Sequence, residues 1–309
     1  MIPVAIIGSG ITGLACARAL VAAGLTPVVF DKGRGIGGRM ATRRVGAAQF
    51  DHGAQYVTAK GAGFAAVLSR MIAEGAAAEW QDGTAGRIVG VPGMTALAKA
   101  LAVGVTVHQG HEVSRVTRVD GDWHLRIGAT DHQAARVVIT VPAPQVAGLL
   151  GPDHPLTAPL RAVQIDPCLT LMAAVNAPAP FVTRSDGDDP LAWIAQDSHK
   201  PGRPVGDITT WVAQAGTAFS RAHLDLDPAA MAAVMLPLLC DRLGVMPDQV
   251  AYAAAHRWRY ARVAAPLGQP FLSTDDGSLY LGGDWCIGPR VEAAWTSGTA
   301  IAADLLGRA

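Results

Sequence analysis

Residues 1–31 read MIPVAIIGSGITGLACARALVAAGLTPVVFD, and this stretch decides the fold of the chain. Residues 2–7 form an apolar run rich in isoleucine and valine, which is typical of a strand buried on both faces of a parallel sheet. Residues 12–23 are apolar nearly all round and stop at a glycine, which predicts a buried helix. Residues 27–30 predict a second strand that ends at Asp31. The order strand, helix, strand predicts a βαβ unit in an α/β fold with a Rossmann-like parallel sheet.

A glycine-rich segment joins the first predicted strand to the helix. It fits the pattern G-x-G-x-x-G and consists of Gly8, Ser9, Gly10, Ile11, Thr12 and Gly13. The first glycine allows a tight turn, the second lets the backbone approach a pyrophosphate, and the third permits close packing of the helix. Asp31 follows at the place where a carboxylate accepts hydrogen bonds from ribose hydroxyls. We therefore expect a bound dinucleotide at the helix N-terminus; the alternative is a glycine turn that serves packing alone.

The composition excludes several classes of protein. Of 309 residues, 50% are hydrophobic and 16% charged, which is the balance of a globular chain rather than a disordered one. The 25 basic and 25 acidic residues give a net charge of zero, which argues against nucleic acid as a ligand. The apolar runs are too short to predict a membrane-spanning helix, and the start of the chain lacks the pattern of a signal peptide. The four cysteines show no metal-binding or redox spacing, so we expect reduced thiols, no metal and a cytoplasmic protein.

Hydrophobic periodicity predicts further elements along the chain. They are a helix at 64–72, a helix at 95–101, a hairpin at 112–127 with an Asp120-Gly121 turn, a strand at 136–141, strands at 168–175 and 207–213, a helix at 229–243, a strand at 279–282 and a final helix at 291–306. Most of the prolines lie in the middle of the chain, which has no glycine-rich motif, and this difference predicts two discontinuous domains. They are a cofactor-binding domain of residues 1–58, 88–148 and 265–309, and a smaller α+β substrate domain of residues 59–87 and 149–264.

Three further segments indicate that the dinucleotide is FAD rather than NAD. Residues 31–39, DKGRGIGGR, carry a second glycine pair and an arginine, and resemble the GGR segment of the flavin amine oxidase superfamily. Residues 279–284, LYLGGD, resemble the second FAD fingerprint, in which an Asp side chain binds the ribityl chain or a hydroxyl next to the phosphates. Residues 291–294 predict a helix start whose N–H groups face the pyrimidine end of the flavin and favour the anionic reduced form.

The chain resembles the bacterial renalases of that superfamily from end to end. The matching segments are DKGRGIGGRMATRR at 31–44, FDHGAQY at 50–56, VPGMTA at 91–96, WIAQDSHKPGR at 193–203, 210–221, HRWRYAR at 256–262 and GDWCIGPRVEAAW at 283–295. The resemblance implies non-covalent FAD on a fold of the para-hydroxybenzoate hydroxylase and amine oxidase type. It also implies oxidation of the mis-reduced 2- and 6-dihydro isomers of β-NAD(P)H. Hydride would pass to the flavin, and dioxygen would reoxidise it to give hydrogen peroxide and NAD(P)⁺.

The motifs and the resemblance together predict the residues that bind the cofactor. They are Gly8, Gly10, Ile11, Thr12, Gly13, Asp31, Lys32, Gly38, Arg39, His52, Gly53, Ala54, Gln55, Val113, Gly283, Asp284, Arg290, Val291, Glu292 and Ala293. Arg39 is expected to meet phosphate, and Arg43 and Arg44 to be solvated. His52 is expected to orient backbone or flavin rather than to act as a base, because hydride transfer from a dihydropyridine needs no proton removal. Cys286 is expected to stay untethered.

Aromatic side chains are candidates for a wall over the flavin, against which a planar nicotinamide would stack. They are Trp193, Trp211, Trp258, Tyr260, Trp285 and Trp295, and the alternative for each is packing in the core. The residues assigned to catalysis are Trp258, Trp211, His199, Tyr260 and Gln55. Trp258 is preferred because the HRWRYAR match covers it. The candidates for contacts with the carboxamide or phosphates of the substrate are Arg257, Arg259, Arg290 and His199.

Two other functions remain open. An amine oxidase acting on a small amine would share every FAD motif, but its usual lysine near the flavin is not evident. The lysines of the chain, none in a matching context, are Lys32, Lys60, Lys99 and Lys200. A flavin-binding sensor without turnover would have a closed roof over the ring. The expected partners are a dihydronicotinamide and dioxygen, and the sequence leaves the choice of NAD or NADP and the oligomeric state open.

Overall fold

The structure, a computed structural model, describes residues 1–204 and 206–308. The strands are β1 (Ile2–Ile7), β2 (Val28–Asp31), β3 (Thr42–Val45), β4 (Ala48–Asp51), β5 (Ala77–Glu79), β6 (Ile88–Gly90), β7 (Thr106–Gln109), β8 (Val113–Val119), β9 (Asp122–Ile127), β10 (Thr130–Ile139), β11 (Gln164–Val175), β12 (Thr183–Ser185), β13 (Trp193–Gln196), β14 (Thr209–Gln214), β15 (Val250–Ala265), β16 (Leu272–Ser273) and β17 (Leu279–Leu281). The α-helices are α1 (Ile11–Ala22), α2 (Ala62–Ala73), α3 (Thr95–Ala102), α4 (Ala143–Leu150), α5 (Thr217–Ala222), α6 (Pro228–Leu243) and α7 (Val291–Gly307). None of these helices is long and apolar enough to cross a membrane.

The first sheet has the strand order β16-β17-β10-β1-β2-β7, and the β8–β9 hairpin joins it through β9 and β10. Strands β17, β10, β1, β2 and β7 are parallel, as the continuous apolar runs predict. One face packs against α1 and α7, and the other packs against the hairpin and α4. At Gly298 a Cβ atom would overlap the carbonyl of Thr12, so the glycine lets α7 lie close against α1. The predicted Rossmann-like α/β fold is confirmed.

The second sheet has the order β12-β13-β14-β11-β15 and is antiparallel throughout. Its outer face packs against α6 in an apolar core. Its inner face packs on β4, where Phe50 meets Met172 and Val212. The inner face therefore covers the chain segment that follows β4.

The longest strand, β15, is absent from the predicted elements. Its sequence, VAYAAAHRWRYARVAA, is rich in alanine and carries polar side chains on both faces, so it lacks the alternation that predicts a strand. It forms because it pairs with β11 over most of its length. The predicted domain boundaries remain a prediction.

Candidate active site

Two glycine loops face each other beyond the end of β1. Gly8 has a φ of +107°, which favours glycine, and a Cβ atom at Gly13 would overlap the Gly8 carbonyl oxygen. At Gly10, by contrast, no atom of the described residues around it lies within 4 Å of the place that a Cβ would take. Gly38 approaches from the other loop, and the two loops are joined by a hydrogen bond from Gly37 N to Ser9 O of 2.8 Å. The free N–H groups of α1 therefore face an open space between the loops.

Asp31 is held between the same two loops. Its Oδ2 accepts hydrogen bonds from the backbone N and the Oγ of Ser9 at 2.6 and 2.8 Å, and its Oδ1 accepts from Gly33 N at 2.6 Å. The carboxylate is half-buried at the end of β2, whereas the side chain of Lys32 is exposed. Asp31 is thus fixed next to the open space, where a ribose was predicted.

Arg39 makes a bidentate ion pair with Asp284, with N–O distances of 2.8 and 2.6 Å. The guanidinium also donates to the carbonyl of Ala261 in β15 at 2.9 Å. The structure therefore joins the GGR segment, the Gly-Asp segment and the second sheet at one point. Phosphate and ribityl contacts of these two side chains remain predictions, and Arg39 keeps further N–H donors for such a contact.

The N-terminus of α7 lies at the same place, and the side chain of its acidic residue is bound within the protein. The Glu292 carboxylate accepts hydrogen bonds from Lys60 N at 3.1 Å and Gly61 N at 2.6 Å, so it caps the start of α2. It also pairs with Arg290 at 3.2 Å. Val291 is half-buried and Ala293 buried. The Glu292 side chain is therefore committed to α2, and only its backbone N–H can face a cofactor.

Residues 52–55 lie directly against Arg39. A Cβ atom at Gly53 would overlap the Arg39 carbonyl, and Ala54 N donates to that carbonyl at 2.8 Å. The second sheet closes over this loop through two side chains: Gln214 Nε2 donates to Gly53 O at 2.6 Å, and Trp258 Nε1 donates to His52 O at 2.7 Å. Segments that are far apart in the sequence, around Arg39, Gln214 and Trp258, thus meet at residues 52–55.

The inner face of the second sheet presents a cross-strand row to this loop. Trp193 pairs with Gln214, Gln214 with Thr170, and Thr170 with His256, so the row crosses β13, β14, β11 and β15. Residues that pair directly share a face of the sheet. Trp258 lies two residues further along β15. The row therefore has an aromatic group at each end and amide and hydroxyl groups between them.

This row and Trp258 together form the aromatic wall, which consists of Trp193, Gln214, Thr170, His256 and Trp258. His52 is buried beneath the aromatic wall. Its ring stacks on Trp258 at 5.3 Å between centroids and meets the edge of His256 at 4.9 Å. Burial, together with the positive charges of His256 and Arg43, lowers the pKa of His52 to about 4, so the ring is neutral at pH 7. Within the described chain its Nδ1 has no hydrogen-bond partner. The site therefore holds a neutral ring nitrogen that lacks a partner.

The stability of the protein should depend on this histidine in acid. The folded-state pKa of about 4 lies below the usual value near 6.5, so the unfolded chain takes up the proton first as the pH falls. Neutral His52 therefore contributes up to about 3 kcal/mol to the free energy of unfolding. The full amount is present above about pH 6.5, and it is lost as the pH falls through 4. His52→Gln should therefore lose less stability than wild type between pH 7 and pH 4 in urea unfolding. Equal losses in both proteins would contradict the assignment.

Several predicted aromatic residues lie away from the wall. Trp211 is 1% exposed on the outer face, where it packs with Phe181, so we correct its assignment to the catalytic set. Trp285 lies in the core of the first sheet and donates to Val141 O at 3.1 Å. Trp295 packs on Phe64. These three positions are explained by packing, which was the alternative for each.

The remaining predicted residues are spread around the site. Tyr260 is half-buried on β15, two residues beyond Trp258. His199 is exposed, and its Nδ1 accepts a hydrogen bond from Trp80 Nε1 at 3.2 Å. Val113 is buried at the start of β8 and packs in the core of the first sheet. Their roles toward cofactor or substrate remain predictions.

A buried cluster of four charges lies behind Gln55 and was not predicted. It consists of Asp51, Asp197, Lys200 and Arg203, and each side chain is at most 1% exposed. Lys200 Nζ lies 2.7 Å from Asp197 Oδ1 and 3.2 Å from the Gln55 Oε1. Arg203 pairs with Asp51, whose pKa is lowered by the charges of Lys200 and Arg203 against the effect of burial. The cluster ties the end of β4 to the loop after β13.

The described residues fit an extended FAD. The space in front of Gly10 would be filled by a side chain at any other residue type, and it faces the positive end of α1. The unpaired Nδ1 of buried His52 gives an orphaned polar atom at the other end of the site. Among the described residues, no group of three or more His, Cys, Asp or Glu could hold a metal ion.

Comparison with known families agrees with this site. Residues 59–306 match the family model of flavin containing amine oxidoreductases, and residues 6–73 match an NAD(P)-binding Rossmann-like domain. The chain belongs to the flavin containing amine oxidoreductase family. It is a flavin-dependent oxidoreductase, and the family implies a flavin cofactor, typically FAD.

Solved structures of similar fold include three oxidases. One is assigned as a protoporphyrinogen oxidase from Exiguobacterium sp. 255-15, with 14% identity and a TM-score of 0.79. Another is putrescine oxidase bound to putrescine, with 15% identity and a TM-score of 0.70. The third is cyclohexylamine oxidase from Brevibacterium oxydans IH-35A, with 13% identity and a TM-score of 0.72. Each alignment covers 99% of both chains, and the likeness shows a shared fold.

Proposed function

We propose that this protein is an FAD-dependent oxidase of dihydronicotinamide dinucleotides, acting on the 2- and 6-dihydro isomers of β-NAD(P)H. The observation that supports it is the chemistry of the wall over residues 52–55. Its side chains are two indoles, an imidazole, an amide and a hydroxyl, and none of them is acidic. Such a wall suits a flat, uncharged ring such as a dihydropyridine. An ammonium group would find no carboxylate among these side chains.

When bound, FAD would accept a hydride from the dihydropyridine and pass electrons to dioxygen, giving hydrogen peroxide and NAD(P)⁺. The protein would orient the ring and exclude water. Trp258 would supply the stacking surface, and its hydrogen bond to His52 O keeps the indole fixed. Gln55 is held by Lys200 and would keep the loop in place. No side chain is required to remove a proton from the donor carbon, which agrees with the lowered pKa of His52, because an imidazole of pKa about 4 is a weak base.

We infer that FAD is bound without a covalent bond. The one cysteine next to the Gly-Asp segment is Cys286, which is fully buried. Burial raises the pKa of its thiol to about 12, so the nucleophilic thiolate is absent near neutral pH. Denaturation in acid should release all of the flavin into the supernatant, and flavin that stays with the precipitated chain would overturn this inference.

Oxidation of a small amine is the second candidate, because two of the neighbouring structures are amine oxidases. The buried lysine, Lys200, donates a hydrogen bond to Gln55, so only the Gln55 side chain separates it from the loop of residues 52–55. Its ammonium is bound to Asp197, however, and the lysine is part of the buried charge cluster. We therefore place this candidate second.

Anaerobic mixing of the oxidised holoenzyme with defined donors tests the proposal. The donors are 2-dihydro-NAD(P), 6-dihydro-NAD(P), ordinary 4-dihydro-NAD(P)H, putrescine and cyclohexylamine. We expect rapid bleaching of the flavin band with the first two and slow or no bleaching with the others. Admission of air should restore the band and produce one hydrogen peroxide per donor. Bleaching by an amine alone would favour the second candidate, and bleaching by none of the donors would favour a non-catalytic flavoprotein.

A further inference from the structure

A groove runs along the free edge of β15, next to the aromatic wall. Its volume is about 520 Å³, and it lies between the first turns of α6, the middle of β15 and the side chain of Arg43. Its apolar lining includes Met231 and Ala254, and its basic lining consists of Arg43, of His256 on the inner face of β15, and of Arg257 on the outer face. The groove thus combines a surface for apolar contact with a row of basic side chains.

The two arginines of the groove are not neutralised by ion pairs. Within the described residues Arg43 has no carboxylate within ion-pair distance, and it is half-buried rather than solvated as expected from the sequence. Arg257 donates to two backbone carbonyls, those of Leu224 and Leu226, at 2.7 and 3.1 Å. Both guanidinium groups therefore contribute a full positive charge to the groove.

The neighbouring carboxylates are already engaged. Asp227 caps α6 by accepting hydrogen bonds from Ala229 N and Ala230 N, both at 2.9 Å. Asp225 pairs with Arg259 at 3.3 Å on the exposed surface. Neither carboxylate makes an ion pair with Arg43 or Arg257 among the described residues.

The groove and the aromatic wall share one residue, His256. Its ring lies 4.3 Å from that of Trp258 and 4.9 Å from that of His52, and the same residue lines the groove. Arg43 lines the same groove as His256, and its charge adds to the effect of burial, which lowers the pKa of both histidines. A molecule with a flat ring at Trp258 can therefore place its next part in the groove.

We propose that this groove binds the phosphate-bearing arm of a dinucleotide substrate, with Arg43 and Arg257 as the phosphate-binding groups. The inference rests on the proposed function and extends it to the part of the substrate that does not react. Guanidinium groups bind phosphate through paired N–H donors, and a partly buried guanidinium does so more strongly than an exposed one. The enzyme would use the arm to prefer dinucleotides over nucleoside fragments and over small amines.

The test compares two variants of neighbouring residues in β3. Arg43→Glu reverses the charge in the groove, whereas Arg44→Glu makes the same change at an exposed side chain that does not line it. The first measurement is calorimetric binding of ADP-ribose to the oxidised holoenzyme. We expect Arg43→Glu to weaken binding about tenfold or more and Arg44→Glu to change it less than about twofold. Arg43→Lys should keep part of the affinity.

The second measurement is the ratio of kcat/KM for 6-dihydro-NAD to that for 6-dihydronicotinamide riboside, which lacks the phosphates. We expect Arg43→Glu to lower this ratio about tenfold and Arg44→Glu to preserve it. An unchanged ratio, or ADP-ribose that fails to bind wild type or binds both variants equally, would overturn the proposal. If neither compound reduces the flavin, the proposed function fails, and the ADP-ribose measurement still decides the role of the groove. An unaltered flavin spectrum and melting temperature show that each variant is folded.

Discussion

Replacement of Gly10 by valine is expected to give a folded protein that no longer retains FAD. The backbone at Gly10 has a φ of −73° and a ψ of 177°, which valine adopts readily, and no described atom around it lies within 4 Å of the added Cβ. The valine would instead occupy the space in front of α1, where the pyrophosphate must approach the N–H groups. We expect the affinity for FAD to fall on the order of a hundredfold or more, equivalent to about 3 kcal/mol. The stability of the apoprotein should change by less than about 1 kcal/mol.

Gly13→Val is the matched control, and it should prevent folding rather than block the cofactor. Its Cβ would overlap the carbonyl oxygen of Gly8 and lie 3.2 Å from the side chain of Ile6, so the helix could not pack on β1. Loss of folded protein is expected, because overpacking against backbone cannot be relieved by a side-chain movement. Apoprotein unfolding in urea and titration with FAD separate the two effects. A Gly10→Val protein that purifies with a full complement of flavin would contradict the placement of the cofactor.

Removal of Asp51 from the buried charge cluster should destabilise the protein by about 3–5 kcal/mol. The carboxylate is buried and accepts hydrogen bonds from Thr42 Oγ1 at 2.6 Å and Met94 N at 2.9 Å, besides its contact with Arg203. Asp51→Ala would leave one more cation than anion among side chains that are at most 1% exposed, and it would free the donors of Thr42 and Met94. Because Asp51 directly precedes His52, FAD binding should weaken as well.

The control is Asp131→Ala on the surface. Asp131 pairs with Arg126 at 2.9 Å, but the two side chains are 43% and 47% exposed, so its removal should cost less than about 1 kcal/mol. Urea unfolding of both variants at neutral pH gives the comparison. Equal destabilisation by the two substitutions would mean that the buried cluster has access to water.

Local patterns in the sequence predict six of the eight strands of the first sheet and miss β7 and β16. The Asp120-Gly121 turn has φ values of +51° and +95°, and the glycine loop after β1 lies where the pattern places it. Both depend on a few adjacent residues whose backbone conformation is limited by sterics. The buried charge cluster depends instead on the approach of Asp51 and Arg203, which are 152 positions apart. No local pattern carries that information.

The two leading tryptophan candidates illustrate the same limit. Trp258 and Trp211 both lie on strands of the second sheet, but Trp258 faces residues 52–55 and Trp211 faces α6. Because side chains alternate along a strand, the direction depends on the register with β11, which the sequence does not display. The motif match favoured Trp258, whose role toward the substrate remains a prediction, whereas aromatic character alone could not exclude Trp211.

The position of β17 and α7 has a consequence for biosynthesis. Strand β17 pairs with β10, and Asp284 and the start of α7 follow it directly, opposite Arg39. During synthesis, the segment that carries Gly10 and Arg39 is therefore made long before its counterpart, Asp284 and α7. If FAD binds where we propose, its site would be complete only once α7 has packed on α1.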